Sequence, residues 1–225
     1  MAWFRCGQSG GGGGGIPSQY LYSFTKVKEW VENGIGSSSW LDDTGVSALG
    51  EGGTYSAVEG EYLDCNSNSW AYIPIANSYY LFGIKFQVDS NFSPRQTDNW
   101  NGASCIIGQE IAGAHRDCAV VISKNGYFAF GYADSGIIET SVNALDGNTH
   151  EIYLAVLPSS LVVFIDGNQE LNIAVSMSGN QMSQMGVFNS QRFGDTRTYG
   201  KVYKVGYWSY TEPTDNIIEA SLPTL

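Results

Sequence analysis

The sequence predicts an all-β protein built as a two-sheet antiparallel sandwich of the jelly-roll type. Asn-Gly and Asp-Gly pairs separate the apolar runs between Ala119 and Gly167, and such pairs are the strongest short-range signal for a β-hairpin. Apolar and polar residues alternate from Thr54 onward, which is the period of a half-buried strand. The stretch from Thr54 to Tyr210 contains no amphipathic segment of helix length.

The chain is predicted to have three parts. Residues 1–15 form an N-terminal peptide followed by a polyglycine linker, residues 16–53 form an arm or an entering strand, and residues 54–225 form the jelly-roll domain. Polyglycine has no side chains to bury and loses the most backbone entropy on ordering, so the linker is expected to be flexible. A length of 225 residues suits one large β domain with a small appendage.

Strand patterns begin before the jelly-roll domain and continue to its end. The run from Tyr20 to Val31 is strand-like, with a short helix as the alternative because its alternation is imperfect. Pro74 is expected at an edge or a bend, since a central ladder does not tolerate proline. The run from Gly200 to Tyr210 is the last clear strand. In all, roughly ten to twelve short strands are expected, the number typical of a sandwich.

Three turn pairs are predicted to join successive strands into an antiparallel meander. They are Asn125-Gly126, Asp146-Gly147 and Asp166-Gly167, about twenty residues apart. Glycine supplies the positive φ that a two-residue turn requires, and Asn and Asp tolerate it.

The charge balance excludes two classes of partner. A formal net charge of -11 opposes sequence-independent binding to nucleic acid, which depends on Lys and Arg. The same charge disfavours an anionic membrane surface. Neutral sugars, cations and other protein chains remain the expected partners. The N-terminus lacks the apolar middle segment of a secretory signal, so a cytoplasmic start is predicted.

The sequence offers no catalytic motif, and a non-enzymatic protein is predicted. The Glu-x-Asp-x-x-Glu spacing of sandwich-fold glycosidases is missing. The two histidines, His115 and His150, do not form a zinc motif, and His150 is expected to be a packed structural residue. Cys105 and Cys118 are expected to be free, buried thiols, with a disulfide between them as the alternative.

A long polar loop over residues 90–104 is the predicted binding region, because binding residues concentrate on loops carried by a rigid scaffold. Trp100 lies in its middle and is expected either to contact a ligand or to cap the sandwich. The residues predicted to contact sugars are Trp100, Asn99, Asn101, Asp117, Tyr132 and Asp134.

Three further aromatic residues and one metal ion complete the binding predictions. Trp70, Tyr127 and Tyr199 are additional stacking candidates, although core positions are favoured for Trp70 and Tyr127. No cofactor is predicted. Calcium binding by loop carboxylates is an alternative, and the candidate residues are Asp98, Asp117 and Asp134.

Four strand-like runs resemble those of concanavalin-A-like and laminin-G-like domains. The runs are Tyr80–Val88, Leu145–Val156, Leu161–Gly167 and Gly200–Trp208, and the resemblance extends over roughly residues 55–215. Thr149 stands where the family usually has tryptophan before its histidine. The resemblance implies a jelly roll of two antiparallel sheets that binds glycans or proteins through loops at one rim.

The N-terminal peptide with its polyglycine is similar to the start of tailed-bacteriophage structural proteins. This resemblance implies that the segment Trp3, Phe4, Arg5 and Cys6 docks into the virion. The expected function is a decoration or fibre-type protein on the virion surface, made in the host cytoplasm, which contacts other virion proteins and binds glycans or a host surface. Homo-oligomerisation stays open. The alternatives are a bacterial lectin, a glycoside-active enzyme of this fold, or an assembly protein without a ligand.

Overall fold

The computed structural model describes residues 24–32, 40–42, 56–58, 62–65, 71–74, 79–109, 117–133, 135–175, 184–188, 197–210 and 222–225. The predicted anchor segment Trp3 to Cys6 and the polyglycine lie outside these residues. The strands are β1 (Phe24–Glu32), β2 (Trp40–Asp42), β3 (Ser56–Val58), β4 (Tyr62–Cys65), β5 (Ala71–Pro74), β6 (Tyr80–Val88), β7 (Ser104–Gln109), β8 (Cys118–Ile122), β9 (Tyr127–Tyr132), β10 (Ile138–Asn143), β11 (Thr149–Val156), β12 (Ser160–Ile165), β13 (Asn168–Ala174), β14 (Gln184–Val187) and β15 (Gly200–Tyr210). Among the described residues, a 3-10 turn spans Trp100–Gly102.

These strands form two antiparallel sheets, which confirms the predicted two-sheet sandwich. In the described part of the chain, the larger sheet has nine strands with the path β13-β12-β11-β6-β15-β1-β2, and β4 joins it by pairing with both β15 and β3. The smaller sheet has six strands in the order β10-β9-β8-β7-β14-β5. Phe24–Glu32 is therefore a strand and not the alternative short helix. Pro74 lies in β5 at the end of the smaller sheet's order, as predicted.

Strand β15 is the centre of the larger sheet. One of its edges pairs with β6 from Gly200 to Ser209. The other edge is shared, because β4 pairs with Gly200 to Val202 and β1 pairs with Lys204 to Tyr210. An eleven-residue strand is long enough for two shorter strands to share one edge. The predicted last strand, β15, therefore pairs with three other strands of the larger sheet.

Two of the three predicted turn pairs close hairpins, and the third does not. Gly126, at φ 86°, lies between the paired strands β8 and β9, and Gly167, at φ 81°, lies between β12 and β13. Gly147 also has a positive φ, 79°, but it connects β10 in the smaller sheet to β11 in the larger one. The prediction of a continuous meander is wrong at this point. The turn residues reverse the direction of the chain, but tertiary packing determines which strands pair with β11.

The main core lies between the sheets and is rich in aromatic rings. Phe86 of the larger sheet contacts Phe128 and Phe188 edge to face, with ring centroids 5.8 Å and 5.6 Å apart. Such pairs stabilise beyond the area they bury. Strand β6 is buried on both faces: Phe86 points into this core, while Leu81 belongs to a second apolar cluster. That accounts for the nearly continuous apolar run of β6.

The second cluster covers the outer face of the larger sheet and includes the C-terminal residues. Tyr153 and Trp208 pack there with Leu225, which is 7% exposed. The Tyr153 hydroxyl donates a hydrogen bond of 2.7 Å to the Pro223 carbonyl. Burial, with the Glu151 charge, raises the pKa of Tyr153, so the hydroxyl remains a donor.

The three described cysteines, Cys65, Cys105 and Cys118, are buried thiols that are not joined in a disulfide. Cys118 belongs to the core between the sheets, whereas Cys105 belongs to a third cluster with Trp100. Side chains that leave a sheet on opposite faces cannot approach within disulfide distance. Burial raises the pKa of Cys118 to about 12, which keeps it an unreactive thiol.

Candidate functional site

Trp100 is buried and caps the outer face of the smaller sheet. Its side chain is 3% exposed, and its indole Nε1 donates a hydrogen bond of 3.2 Å to the Ala133 carbonyl. The ring occupies the space above Gly131, where a Cβ would lie 2.0 Å from the indole Cγ. An enclosed ring offers no face for stacking on a sugar, so the structure favours the capping alternative. An isolated glycine in a strand signals such a close approach.

The polar residues predicted to accompany Trp100 do not converge on one cavity. Asn99 is exposed, Asn101 is half-buried and Asp117 is buried at 7% exposure. Asp134 lies outside the described residues. Asn99, Asn101 and Asp117 are not among the lining residues of the three cavities described below. Their predicted sugar contacts therefore stay predictions.

The tyrosines divide between packed and exposed positions. The ring of Tyr132 is half-buried and stacks on Phe130, with centroids 6.1 Å apart. Tyr127, for which a core position was favoured, is 40% exposed at the first residue of β9. Tyr199 is 38% exposed, and it alone of these three tyrosines borders any of the three cavities, two of which it lines. Trp70 lies outside the described residues.

Tyr199 is the common wall of two cavities. The first, here called the arginine cavity, has a volume of about 400 Å³ and is lined by Asn91, Phe92, Ser93, Arg95, Arg197 and Tyr199. The second, here called the glutamine cavity, has a volume of about 520 Å³ and is lined by Cys65, Gln87, Val88, Asp89, Ser90, Gly147, Tyr199, Gly200 and Lys201. Both volumes lie within the 300–1,000 Å³ usual for small-molecule sites. We refer to the two cavities together as the Tyr199 groove.

Hydrogen bonds on both sides of Tyr199 fix its position. The preceding residue, Thr198, is fully buried, and its hydroxyl donates to the Cys105 carbonyl at 2.7 Å. The carbonyl of Tyr199 accepts a 2.9 Å hydrogen bond from the N–H of Asp89. At Gly200 the backbone approaches so closely that a Cβ would lie 2.1 Å from the Gln87 carbonyl oxygen. Contacts to both sheets thus hold the backbone on either side of the exposed ring.

A tight turn places the aromatic neighbour of Tyr199. The N–H of Asn91 donates to the Asp89 carboxylate at 2.9 Å, and the N–H of Phe92 donates to the Asp89 carbonyl at 2.8 Å. Asp is favoured in such turns because its side chain bonds the backbone two residues on. The Phe92 ring then lies 5.4 Å from the Tyr199 ring, at an angle of 60°. This turn belongs to the loop for which binding was predicted.

The glutamine cavity contains a locked amide. The side-chain nitrogen of Gln87 donates to the Gly147 carbonyl, and its oxygen accepts a 3.2 Å hydrogen bond from the Tyr203 hydroxyl. Two fixed partners define which end of the amide is nitrogen and which is oxygen. Asp89 and Lys201 add a carboxylate and an ammonium to the same wall. The cavity therefore presents both donors and acceptors.

A third cavity, of about 480 Å³, contains two carboxylates, Asp98 and Glu139. Asp98 forms an ion pair with Lys124 at 2.7 Å, and Glu139 accepts a 2.8 Å hydrogen bond from the Asn125 side chain. A pair of carboxylates in one cleft is what the glycosidase alternative requires. The cavity also uses the predicted loop, through Thr97 and Asp98.

His150 occupies a packed structural position, as predicted. It is 4% exposed and lies between two carboxylates, with Nδ1 2.8 Å from Asp166 and Nε2 3.1 Å from Asp146. Burial lowers its pKa, but hydrogen bonds to Asp166 and Asp146 and their charges outweigh burial, so the pKa is raised. A neutral imidazole has only one N–H, so it can donate to only one of the two carboxylates. The protonated ring has two N–H groups and can donate to both Asp146 and Asp166.

The described residues contain no group of three or more His, Cys, Asp or Glu side chains arranged to hold a metal ion. Of the calcium candidates, Asp98 is paired with Lys124, Asp117 is buried and Asp134 lies outside the described residues. None of the described residues forms a helix with the length and apolar character needed to cross a membrane.

No protein-family model matches the chain, and the comparison with curated proteins finds no match. Solved structures do match. Trypanosoma rangeli sialidase in complex with sialic acid is 14% identical, with a TM-score of 0.60, over 87% of this chain and 35% of the sialidase chain. This chain thus spans about a third of the sialidase.

Two further structures match with similar scores. Domain 4 of AbnA, an extracellular arabinanase of Geobacillus stearothermophilus solved with arabinotriose, is 12% identical, with a TM-score of 0.58, over 88% of this chain and 97% of that domain. The binding domain of botulinum neurotoxin serotype D is 9% identical, with a TM-score of 0.57, over 82% of this chain and 48% of that chain. At these identities the likeness shows the fold alone, which is a β-sandwich of two antiparallel sheets.

Proposed function

We propose that this chain is a non-enzymatic glycan-binding module whose ligand lies in the Tyr199 groove. The observation that carries the proposal is an exposed aromatic ring, carried on a backbone that hydrogen bonds hold at both sides, between two polar cavities. An aromatic ring packs on the apolar C–H face of a sugar, and the flanking polar groups bond its hydroxyls. The arabinanase domain solved with arabinotriose and the neurotoxin binding domain have the same fold and support a binding role.

The test is a comparison of two exposed tyrosines. Full-length protein is screened on a glycan array, and the affinity for the best saccharide is measured by titration calorimetry. Tyr199→Ala is expected to weaken binding about tenfold, because the stacking contact is lost. Tyr127→Ala is the matched control, since Tyr127 is equally exposed but borders none of the three cavities. Equal affinities of the two variants would place the ligand elsewhere.

The proposal includes display on a phage particle, with the segment Trp3, Phe4, Arg5 and Cys6 as the anchor to other virion proteins. Support comes from the sequence, in which two large aromatics precede a polyglycine linker. Repeated display would make weak sugar binding effective through avidity. Deletion of residues 1–6 is expected to abolish incorporation into particles while glycan binding by the free protein is unchanged. Normal incorporation of the deletion variant would contradict the anchor.

Glycoside hydrolysis is the second candidate, favoured by the carboxylates Asp98 and Glu139 in one cavity. The bound oligosaccharide is incubated with the protein, and products are followed by mass spectrometry. We expect none. Products that disappear in an Asp98→Asn, Glu139→Gln double variant would establish an enzyme and overturn the non-enzymatic proposal.

A further inference from the structure

We infer that the Tyr199 groove selects an acidic oligosaccharide, with the carboxylate-bearing sugar in the arginine cavity and a neutral sugar in the glutamine cavity. The inference rests on the proposed function and adds the class and the orientation of the ligand. Three observations carry it: the charge of the arginine cavity, the backbone that fixes its two arginines, and the different lining of the glutamine cavity.

The arginine cavity is a basic site in an acidic protein. The chain has 11 Lys and Arg against 22 Asp and Glu, yet Arg95 and Arg197 both line this one cavity of about 400 Å³. Its other lining residues, within the described part of the chain, carry no acidic group. A guanidinium has five N–H donors in a planar fork that fits a carboxylate bidentately, so it binds an anion while keeping other contacts. The charge therefore favours an acidic ligand.

The backbone at both arginines is fixed in advance of binding. The N–H of Arg95 donates to the Ser104 hydroxyl at 3.1 Å. Arg197 immediately precedes the fully buried Thr198, whose N–H donates to the Phe188 carbonyl at 3.1 Å. Fixing the backbone beforehand reduces part of the ordering cost of binding. The two arginines line the cavity from segments that are far apart in the chain.

The glutamine cavity differs in charge and sets the orientation. Asp89 and Lys201 stand in its wall with opposite charges, so this cavity lacks the excess of positive charge found in the arginine cavity and does not favour a second carboxylate. The oriented Gln87 amide and the Ser90 hydroxyl are the kind of group that bonds sugar hydroxyls. Because Tyr199 borders both cavities, one ring serves both neighbouring sugars. The groove thus has an acidic-sugar end and a neutral-sugar end.

The test uses matched saccharides that differ in charge. Sialyllactose is compared with lactose, and trigalacturonate with its trimethyl ester, by titration calorimetry against full-length protein at two salt concentrations. We expect at least one acidic member to bind about tenfold more tightly than its neutral partner, with an advantage that shrinks at high salt. In the Arg95→Gln, Arg197→Gln double variant this advantage is expected to disappear.

Two controls separate a specific site from general charge. Lys124→Gln removes a positive charge from the third cavity and is expected to leave the acidic preference intact. Arg95→Lys with Arg197→Lys keeps the charge but removes the bidentate fork, so an intermediate preference is expected. Thermal denaturation checks that each variant is folded.

The outcomes distinguish this inference from the proposed function. Binding of neutral and acidic partners with equal affinity, or an arginine double variant that behaves like Lys124→Gln, overturns the inference and leaves glycan binding standing. Failure of the unmodified protein to bind any saccharide on the array or in the matched set overturns both.

Discussion

The indole of Trp100 lies on the backbone of Gly131, in the space that a side chain at position 131 would occupy. A Cβ there would fall 2.0 Å from the indole Cγ and 2.5 Å from Cδ1. The hydrogen bond from Nε1 to the Ala133 carbonyl holds the ring in that place. Trp100 and Gly131 therefore form a matched pair, a large residue from the loop and the smallest residue from the strand.

Gly131→Ala is expected to destabilise the protein by about 1–3 kcal/mol, because the added methyl group overpacks a filled site. The free energy of unfolding is measured by urea denaturation. Gly136→Ala is the control, since nothing lies within 4 Å of its Cβ, and it is expected to change stability by no more than about 0.5 kcal/mol. In a Trp100→Ala background the cost of Gly131→Ala should fall. Equal costs in both backgrounds would show that the indole is not the obstacle.

Gly200→Ala is expected to lower stability and to displace Tyr199. Gly200 has a φ of 153°, and a Cβ would lie 2.1 Å from the Gln87 carbonyl oxygen and 2.9 Å from the Val88 Cα. Both are backbone atoms, so they cannot move aside as the end of a flexible side chain could. Gly167→Ala is the comparison, because its φ of 81° is strained but its surroundings are open, and a cost of about 1–2 kcal/mol is expected there.

The Gly200 measurement combines unfolding with glycan titration. Gly200→Ala is expected to be more destabilising than Gly167→Ala and to weaken glycan binding. A variant as stable as Gly167→Ala would contradict the close approach at Gly200. A destabilised variant that retains full glycan affinity would instead argue against the dependence of the groove on Tyr199.

The cluster of His150, Asp146 and Asp166 is expected to stabilise the fold most in mildly acidic solution. The raised pKa of His150, above 6.5, means that its contribution is complete below pH 6.5 and is lost as the pH rises through the folded-state pKa. Although burial opposes ionisation, hydrogen bonds and the His150 charge lower the pKa values of Asp146 and Asp166 below 3.8. Their contribution is present above pH 3.8 and is lost as the pH falls through the lowered values.

The cluster is tested by melting wild type and His150→Gln from pH 3 to pH 9. The difference in melting temperature is expected to be largest between pH 3.8 and 6.5 and to shrink at higher and lower pH. Asp98→Asn serves as a control, because its ion pair with Lys124 is exposed and should contribute little. A difference that grows as the pH rises above neutrality would contradict the assigned charge of His150.

The C-terminal residues are expected to stabilise the larger sheet through Tyr153. Tyr153→Phe removes the hydrogen bond to the Pro223 carbonyl and should cost about 0.5–1.5 kcal/mol. Deletion of residues 222–225 also uncovers Trp208 and should cost more, because Leu225 is buried against this cluster. In the deletion background Tyr153→Phe should have little effect on urea denaturation. An undiminished effect there would show that Tyr153 acts through another contact.

The turn pairs show which structural features the local sequence determines. Gly126 and Gly167 were predicted to close hairpins and do so, because the φ of a turn depends on the residues within it. Asp146-Gly147 has the same chemistry but carries the chain from one sheet to the other. The local sequence determines where the chain turns. Which strand the following segment pairs with depends on the strand edges that the folded sheets offer.

The candidate site shows the same division. The loop over residues 90–104 was predicted to bind, and it supplies Phe92 and Arg95 to one cavity and Asp98 to another. From its position in this polar loop, Trp100 was expected either to contact a ligand or to cap the sandwich, and its ring packs over Gly131. Arg197 is distant in sequence from that loop and was not predicted. The sequence signal that was available for this part of the site is the presence of Arg197 and Tyr199 close together, after a polar stretch that begins at Ser176.

The sequence by itself determined that this protein is an all-β sandwich, that the chain turns at Gly126, Gly147 and Gly167, and that His150 is structural. These follow from the period of alternation and from the backbone preferences of Gly, Asn and Asp, which act between near neighbours. The tertiary structure decided the neighbours of β11, the burial of Trp100 and the pairing of Tyr199 with Phe92. Each depends on atoms far apart in the chain meeting at close range, and a linear pattern carries no information about that distance.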